Sequence, residues 1–214
     1  MKRRLSALSV SAAALLVAAP LLTGCTTDSR PGIAAVVGDE QISLSQVQNQ
    51  VEAVRQAQRE DENADQLIAA SAQLPRETVN YLVYQEVVEL AAADAGVDVS
   101  RREVQQERAN LEENAGGVEE LERAALMQNG LPLASEHIDG VLRTQLLIQR
   151  LAEKIGAGPD ERGQEMLGQL LANTGEEAGV QVNPRYGRWD PEVLSLVDAD
   201  TPWLRVPTMD DEEA

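Results

Sequence analysis

The sequence predicts a mainly α protein: a bundle of five to six helices, closed by a short N-terminal strand that pairs with a C-terminal strand. Three observations carry that expectation. Apolar residues recur at spacings of three and four through most of residues 44–171, the period of amphipathic helices. Short strand-like runs stand near the two ends, Ile33-Ala34-Ala35-Val36-Val37 and Val180-Gln181-Val182. The chain has no Phe and only 2% aromatic residues, so Leu, Val, Ile and Ala must fill the core, a composition that suits helices.

The N-terminus divides into three zones. Lys2, Arg3 and Arg4 form a cationic start, residues 5–19 are apolar apart from Ser6, Ser9 and Ser11, and Leu22-Thr23-Gly24-Cys25 ends the run. That order describes a secretory signal, too short for a comfortable membrane span. Its ending resembles a lipobox, in which the cysteine sulfur takes a diacylglycerol and the chain is cut between Gly24 and Cys25. The sequence thus predicts an exported lipoprotein, anchored by Cys25 to the outer face of a bacterial membrane. Cys25 is the only cysteine, so no intrachain disulfide can form. Residues 25–32 are polar, contain Pro31, and read as a flexible tether.

Removal of residues 1–24 would take away three cations and no anion, moving the formal net charge from −18 to −21. A surface so acidic is repelled by phosphate backbones and anionic headgroups, which argues against nucleic-acid partners and leaves the Cys25 lipid as the only membrane contact. Lys154 is the only lysine beyond residue 24, against 14 arginines.

Along the body, Gly38-Asp39 turns the first strand into a brief return strand at Glu40-Gln41-Ile42. Ser43 and Gln46 have capping-box spacing, and Leu44, Val47, Val51 and Val54 line one face of the helix that follows. Residues 55–66 are polar and read as a loop. Pro75 opens the most apolar helix, which Gly96 ends. Ser100 and Glu103 form a second capping box, for a helix to about Asn114. Gly116-Gly117 breaks the chain, another helix covers residues 118–128, and Asn129-Gly130 stops it. Ser135 should cap a long helix through Ile155, and residues 161–173 a last one, packing Met166, Leu167, Leu170 and Leu171. Residues 33–196 therefore read as one helical domain, and residues 197–214 as an acidic, proline-broken tail in which Trp203 and Leu204 stand out.

Two end motifs and the helical middle resemble one family. Ala34-Ala35-Val36-Val37-Gly38-Asp39-Glu40-Gln41-Ile42-Ser43 resembles the opening of the N-terminal domain of SurA-type periplasmic chaperones and PrsA-like foldase lipoproteins, the trigger factor/SurA peptide-binding type. Val182-Asn183-Pro184-Arg185-Tyr186-Gly187-Arg188-Trp189-Asp190 resembles that family's returning C-terminal segment, and Gly130-Leu131-Pro132 with the following Arg143, Gln145, Leu146 and Leu147 fits between them. The resemblance covers residues 33–190 and implies a strand-clasped bundle that binds unfolded or newly exported polypeptides.

One departure bears on enzymology. Many relatives insert a parvulin-type prolyl isomerase domain before the returning segment, whereas residues 157–179 are too few for a domain. A parvulin site also needs histidines and an apolar pocket, and this chain has His137 alone and no Phe. The expectation is a protein without catalytic residues, cofactor or metal. One histidine with no cysteine partner makes no metal cluster, and neither a Gly-x-Ser-x-Gly elbow nor a phosphate-binding Gly-rich loop with Lys occurs.

The candidate binding residues are apolar. Leu126, Met127 and Leu131 either line a groove for clients, methionine being adaptable at promiscuous surfaces, or pack as ordinary core. Tyr186 and Trp189 alternate with Arg185 and Arg188, so they either grip an extended peptide or pin the returning strand. His137 reads as an exposed residue in the first turn of a helix. The alternative to client binding is an envelope interaction or scaffold lipoprotein that docks a single partner.

Overall fold

A computed structural model describes residues 31–128 and 130–199. The leader, the Gly24–Cys25 junction, most of the tether, Asn129, and the tail from residue 200 with Trp203 and Leu204 lie outside the described residues.

The chain begins with β1 (Ile33–Val37), turns at Gly38 (φ 60°), and returns as β2 (Glu40–Ser43). Far along the sequence, β3 (Gln181–Val182) adds to the other edge of β1, giving the order β2-β1-β3. The register is antiparallel, with Ala35 opposite Val182 and Val36 opposite Gln181. Backbone bonds outside the ladder extend the clasp: Gly38 N–H donates to Ala178 O at 3.0 Å and Asn183 N–H to Ala34 O at 2.8 Å. The expected closure of the bundle by its two ends is the observed one.

Helix α1 (Leu44–Glu60) starts at Ser43, whose Oγ accepts the Gln46 N–H at 3.1 Å. The reciprocal bond from the Gln46 side chain is not among the described hydrogen bonds; Ser43 Oγ meets Ser45 Oγ at 2.9 Å instead. The expected loop at residues 55–66 is largely helix, because α1 continues to Glu60 and α2 (Ala64–Ala70) follows. The reason is polar and internal. Gln58 is 1% exposed, and its Nε2 donates to Ser71 Oγ at 3.0 Å. Arg55 closes the network, donating to Gln58 Oε1 at 2.7 Å and to Ser71 O at 2.7 Å. Residues that look solvated therefore satisfy one another inside the fold.

Helix α3 (Leu74–Asp94) has Pro75 in its first turn and runs through the centre, touching α1, α6, α7 and β1. Helix α4 (Arg101–Ala115) carries the complete Ser100–Glu103 capping box and ends at Gly116, in the left-handed region at φ 97°. Helix α5 (Val118–Leu126) follows, then a 3₁₀ turn (Ser135–His137), α6 (Ile138–Ile155) and α7 (Glu161–Ala178). Ser135 does not cap α6; its hydroxyl donates to Glu122, and the helix is entered through the 3₁₀ turn without a side-chain cap. Seven α-helices thus stand among the described residues where five or six were expected. The interval 157–179 contains α7, which runs five residues beyond the expected end at Asn173.

The returning segment holds more structure than its sequence suggests. After a 3₁₀ turn (Pro184–Tyr186), β4 (Arg188–Asp190) and β5 (Ser195–Val197) form a hairpin. Helix α3 grips it: Asn80 Oδ1 accepts the Leu196 N–H at 2.7 Å, Arg76 donates to Leu196 O at 2.9 Å, and Arg76 pairs with Asp198 at 3.1 Å. Val197 and Asp198, at the start of the expected tail, belong to this clamp.

The main core gathers Val79, Val83, Val87 and Val88 of α3 with Leu147 and Leu151 of α6, Leu171 of α7, and Ala34, Ala35 and Val37 of β1. A separate small cluster joins Val54, Leu74, Leu126 and Ala134 at the end where α1, α2 and α5 meet.

Candidate peptide-binding groove

Beside the small cluster the described surface is concave and apolar. Two concavities flank Leu126. The larger, about 210 Å³, lies between the end of α1 and the wall formed by α5 and the segment after it, lined by Ala57, Leu126, Leu133 and Ala134 with Glu60, Asp61, Glu122 and Arg123 at its rim. The smaller, about 30 Å³, is lined by Leu67 and Ala70 of α2, Leu126, Met127 and Pro132, with Gln58 and Ser71 at its floor. Both are shallow and of side-chain size, and Leu126 lines each; the larger is the groove between α1 and α5. Cofactor pockets are usually larger, roughly 300–1,000 Å³.

Local structure explains why these residues stay at the surface. Helix α5 is short and bounded by Gly116-Gly117 on one side, with φ 97° and 144°, and by Gly130, with φ 89°, on the other. One apolar edge of α5 packs inward through Leu121 and Ala125, and Leu133 N–H returns to Ala125 O at 3.0 Å. A polar hub holds the other edge. Arg108 donates to Glu112 at 2.8 Å, to Asp139 at 3.0 Å and to Glu122 at 3.4 Å, linking α4, α5 and α6. Its bonds to Glu112 and Asp139 raise the guanidinium pKa above its ordinary value.

The structure brings together three of the five candidate binding residues. Leu126 is 9% exposed, Met127 is 43% exposed, and Leu131 packs against the same small cluster. Leu126 is therefore a wall shared by both concavities, and Met127 an exposed edge of the smaller one. Tyr186 and Trp189 belong to the other apolar cluster. Trp189 is 6% exposed, closed against Gly175 of α7, where an added Cβ would sit 3.3 Å from its Nε1. In this conformation the indole pins the returning hairpin and offers no face to a peptide. Arg188 pairs with Asp190 at 3.6 Å on the hairpin itself. Aromatic burial has decided the arrangement.

His137 departs from its expected exposure. It is half-buried in the 3₁₀ turn, and burial lowers its pKa below the ordinary histidine value, opposed by the neighbouring Glu136 carboxylate. No group of His, Cys, Asp and Glu among the described residues is placed to hold a metal ion. Gly24 and Cys25 lie outside the described residues. The groove's other wall, Ala57, Glu60 and Asp61, is not evident from the sequence, because it falls in residues 55–66, whose polar composition reads as a loop. The signal was available: Val47, Val51, Val54 and Gln58 continue the helical spacing.

Another concavity, about 530 Å³, opens beside Gly96, Val97, Asp98, Arg150, Glu153 and Lys154. It is shallow and polar, and Arg150 is already engaged with Asp98 O and Glu103. The Ser100 hydroxyl and backbone N–H, and after them Arg150, hold the Glu103 carboxyl below its ordinary pKa.

The mainly helical fold agrees with what comparison with known proteins finds. A family model described as the SurA-like N-terminal domain matches residues 1–152, well over half of the chain. The chain belongs to that family. The matched part runs through β1, β2 and α1–α5 and through most of α6, so it includes both walls of the groove. No curated protein and no solved structure matches the chain. In this SurA-like N-terminal domain, α7 and β3 follow the matched part and complete the clasp on β1.

Proposed function

We propose that this protein is an exported, non-catalytic chaperone-like lipoprotein that binds unfolded or newly exported polypeptides at the groove between α1 and α5. The observation that carries the reading is that apolar groove on a SurA-like N-terminal domain: concave, of side-chain size, and lined by Ala57, Leu126, Leu133 and Ala134, with the exposed Met127 beside a smaller concavity that shares Leu126. Such a surface holds an extended segment weakly, one or two side chains at a time, while the acidic exterior keeps the complex soluble.

In this reading residues 1–24 are removed and a lipid on Cys25 tethers the protein to the outer face of the bacterial membrane. No helix among the described residues is long and apolar enough to cross a membrane. Two or three acyl chains anchor stably where one does not. A tether also raises the local concentration of the groove where chains leave the translocation channel.

Three measurements test the proposal. The chain from residue 25, with Cys25→Ser, should suppress aggregation of a chemically unfolded test enzyme in a dose-dependent manner; light scattering equal to that of an inert protein control would refute client binding. Mass spectrometry of protein from the producing cell should find no residue before Cys25 and a diacylglycerol on its sulfur. A proline-limited refolding assay should show no acceleration, and a clear one would overturn the non-catalytic part of the reading.

A further inference from the structure

Resting on that reading, we infer that the groove selects client segments in which a large apolar side chain lies close to an arginine or lysine. Three features of the site point the same way. The larger concavity offers apolar walls to one leucine- or methionine-sized side chain. At its α1 end stand Glu60 and Asp61; Asp61 Oδ1 accepts the Asn63 N–H at 2.8 Å and Glu60 Oε1 the Gln56 amide at 3.4 Å, but no arginine or lysine among the described residues neutralises either. The same end carries the last carbonyls of a 17-residue helix, whose dipole adds negative potential there.

The remaining charges fix the direction of the segment. Glu122, on the opposite wall, is already taken by Arg108 and Ser135 and is not free for a client. Arg123, on the same wall, repels a second cation. A bound segment therefore places its apolar side chain over Leu126 and its cation toward Glu60 and Asp61, away from α5. An acidic residue at that position would face two carboxylates and the negative helix end. Like charges at short range make this a rule of exclusion as much as of attraction.

The test uses three fluorescein-labelled nonapeptides, each a Gly/Ser chain with one central leucine and, two residues on, Arg, Gln or Glu. They are titrated into the chain from residue 25 with Cys25→Ser, with binding read by fluorescence anisotropy. The Arg peptide should bind about tenfold more tightly than the Glu peptide at low ionic strength, with Gln between them, and the spread should shrink as salt is added. Glu60→Gln with Asp61→Asn, both on the surface, should bring the three peptides within about twofold of one another. Ala57→Trp, which fills the groove, should abolish binding of all three, with circular dichroism checking that the helices persist. Equal binding of Arg and Glu peptides, or a charge preference that survives the double substitution, overturns the inference. If no peptide binds while aggregation is still suppressed, the groove assignment falls and the chaperone reading stands. If the Arg peptide binds at the groove but aggregation is not suppressed, the reverse holds.

Discussion

The bundle centre and the groove end are held by different forces. Around α3, α6 and α7 the side chains are almost wholly apolar and many are fully buried, and the paired β1 and β3 close the unit from both ends of the chain. At the meeting of α1, α2 and α5 the buried apolar cluster is four residues, Val54, Leu74, Leu126 and Ala134, with the partly buried Val51, Ala53, Ala57, Leu67 and Leu131 packed against it, and polar bonds add to the hold. Arg55, Gln58 and Ser71 tie α1 to the residue after α2, and Arg108 ties α5 to its neighbours. Apolar burial gives the centre rigidity. The groove end, with less to lose on opening, is where local unfolding should have its lowest free energy. A surface that must admit varied segments gains from that difference, because its walls can adjust without unfolding the clasp.

The contrast is broken most directly by truncating one leucine in each region. Leu147, 1% exposed in the main core, should cost about 2–5 kcal/mol as Leu147→Ala in a urea melt. Leu126→Ala, in a cluster of four open to solvent on two sides, should cost about 1–2 kcal/mol, because the groove already supplies part of the cavity. Equal losses would show that the two regions form one cooperative unit and that the contrast is false.

The polar network gives the next largest effect. Arg55→Ala strands the buried Gln58 and the Ser71 carbonyl, and should destabilise the protein by about 1–3 kcal/mol. Hydrogen exchange localises the loss: amides in α2 and the last turn of α1 should exchange faster, while those of α3 should hardly change. A uniform increase over all helices would mean that Arg55 supports the whole bundle.

That network also marks the limit of what the sequence could tell. The clasp was legible because Val36-Val37-Gly38-Asp39 and Val180-Gln181-Val182 carry strand patterning next to turn residues, and Ser100-Glu103 announced its helix by spacing alone. Residues 55–66 were not, since a buried glutamine bonded to an arginine and a serine has the same composition as a solvated loop. The β4–β5 hairpin was hidden as well. Its strands are three residues long, its turn places Leu194 at φ 51°, and Asn80 and Arg76, more than a hundred residues away, hold it. Of the groove, Leu126, Met127 and Leu131 could be named from their apolarity, but the α1 wall opposite them depends on the last turns of a helix whose first part alone was legible.

Arg108→Leu addresses α5 alone. Its partners are 25–47% exposed, so the ion pairs contribute modestly, and the variant should lose only about 1–2 kcal/mol. Exchange in α5 should accelerate several-fold relative to α6, since Glu122 would lose its link to α4. Unchanged exchange in α5 would mean that Leu121 and Ala125 hold the groove wall in place without the hub.

The smallest effect comes from His137, beside the entry to α6. Burial disfavours its charged form, so its folded pKa lies below the unfolded value of about 6.5. The folded state then binds fewer protons than the unfolded one in that range, and stability is lost as pH falls from about 7 through the folded pKa. His137→Gln removes the titration while keeping a polar side chain of similar size. Between about pH 7 and pH 5 the Tm of the unmodified protein should fall more than that of the variant, with the two converging at neutral pH. Because the ring is only half-buried and Glu136 acts against the burial, the gap should be small. A variant whose Tm falls more steeply than the parent's over that range would mean that the histidine gains a partner on protonation, and the 3₁₀ turn would have to be reread as a site that favours charge.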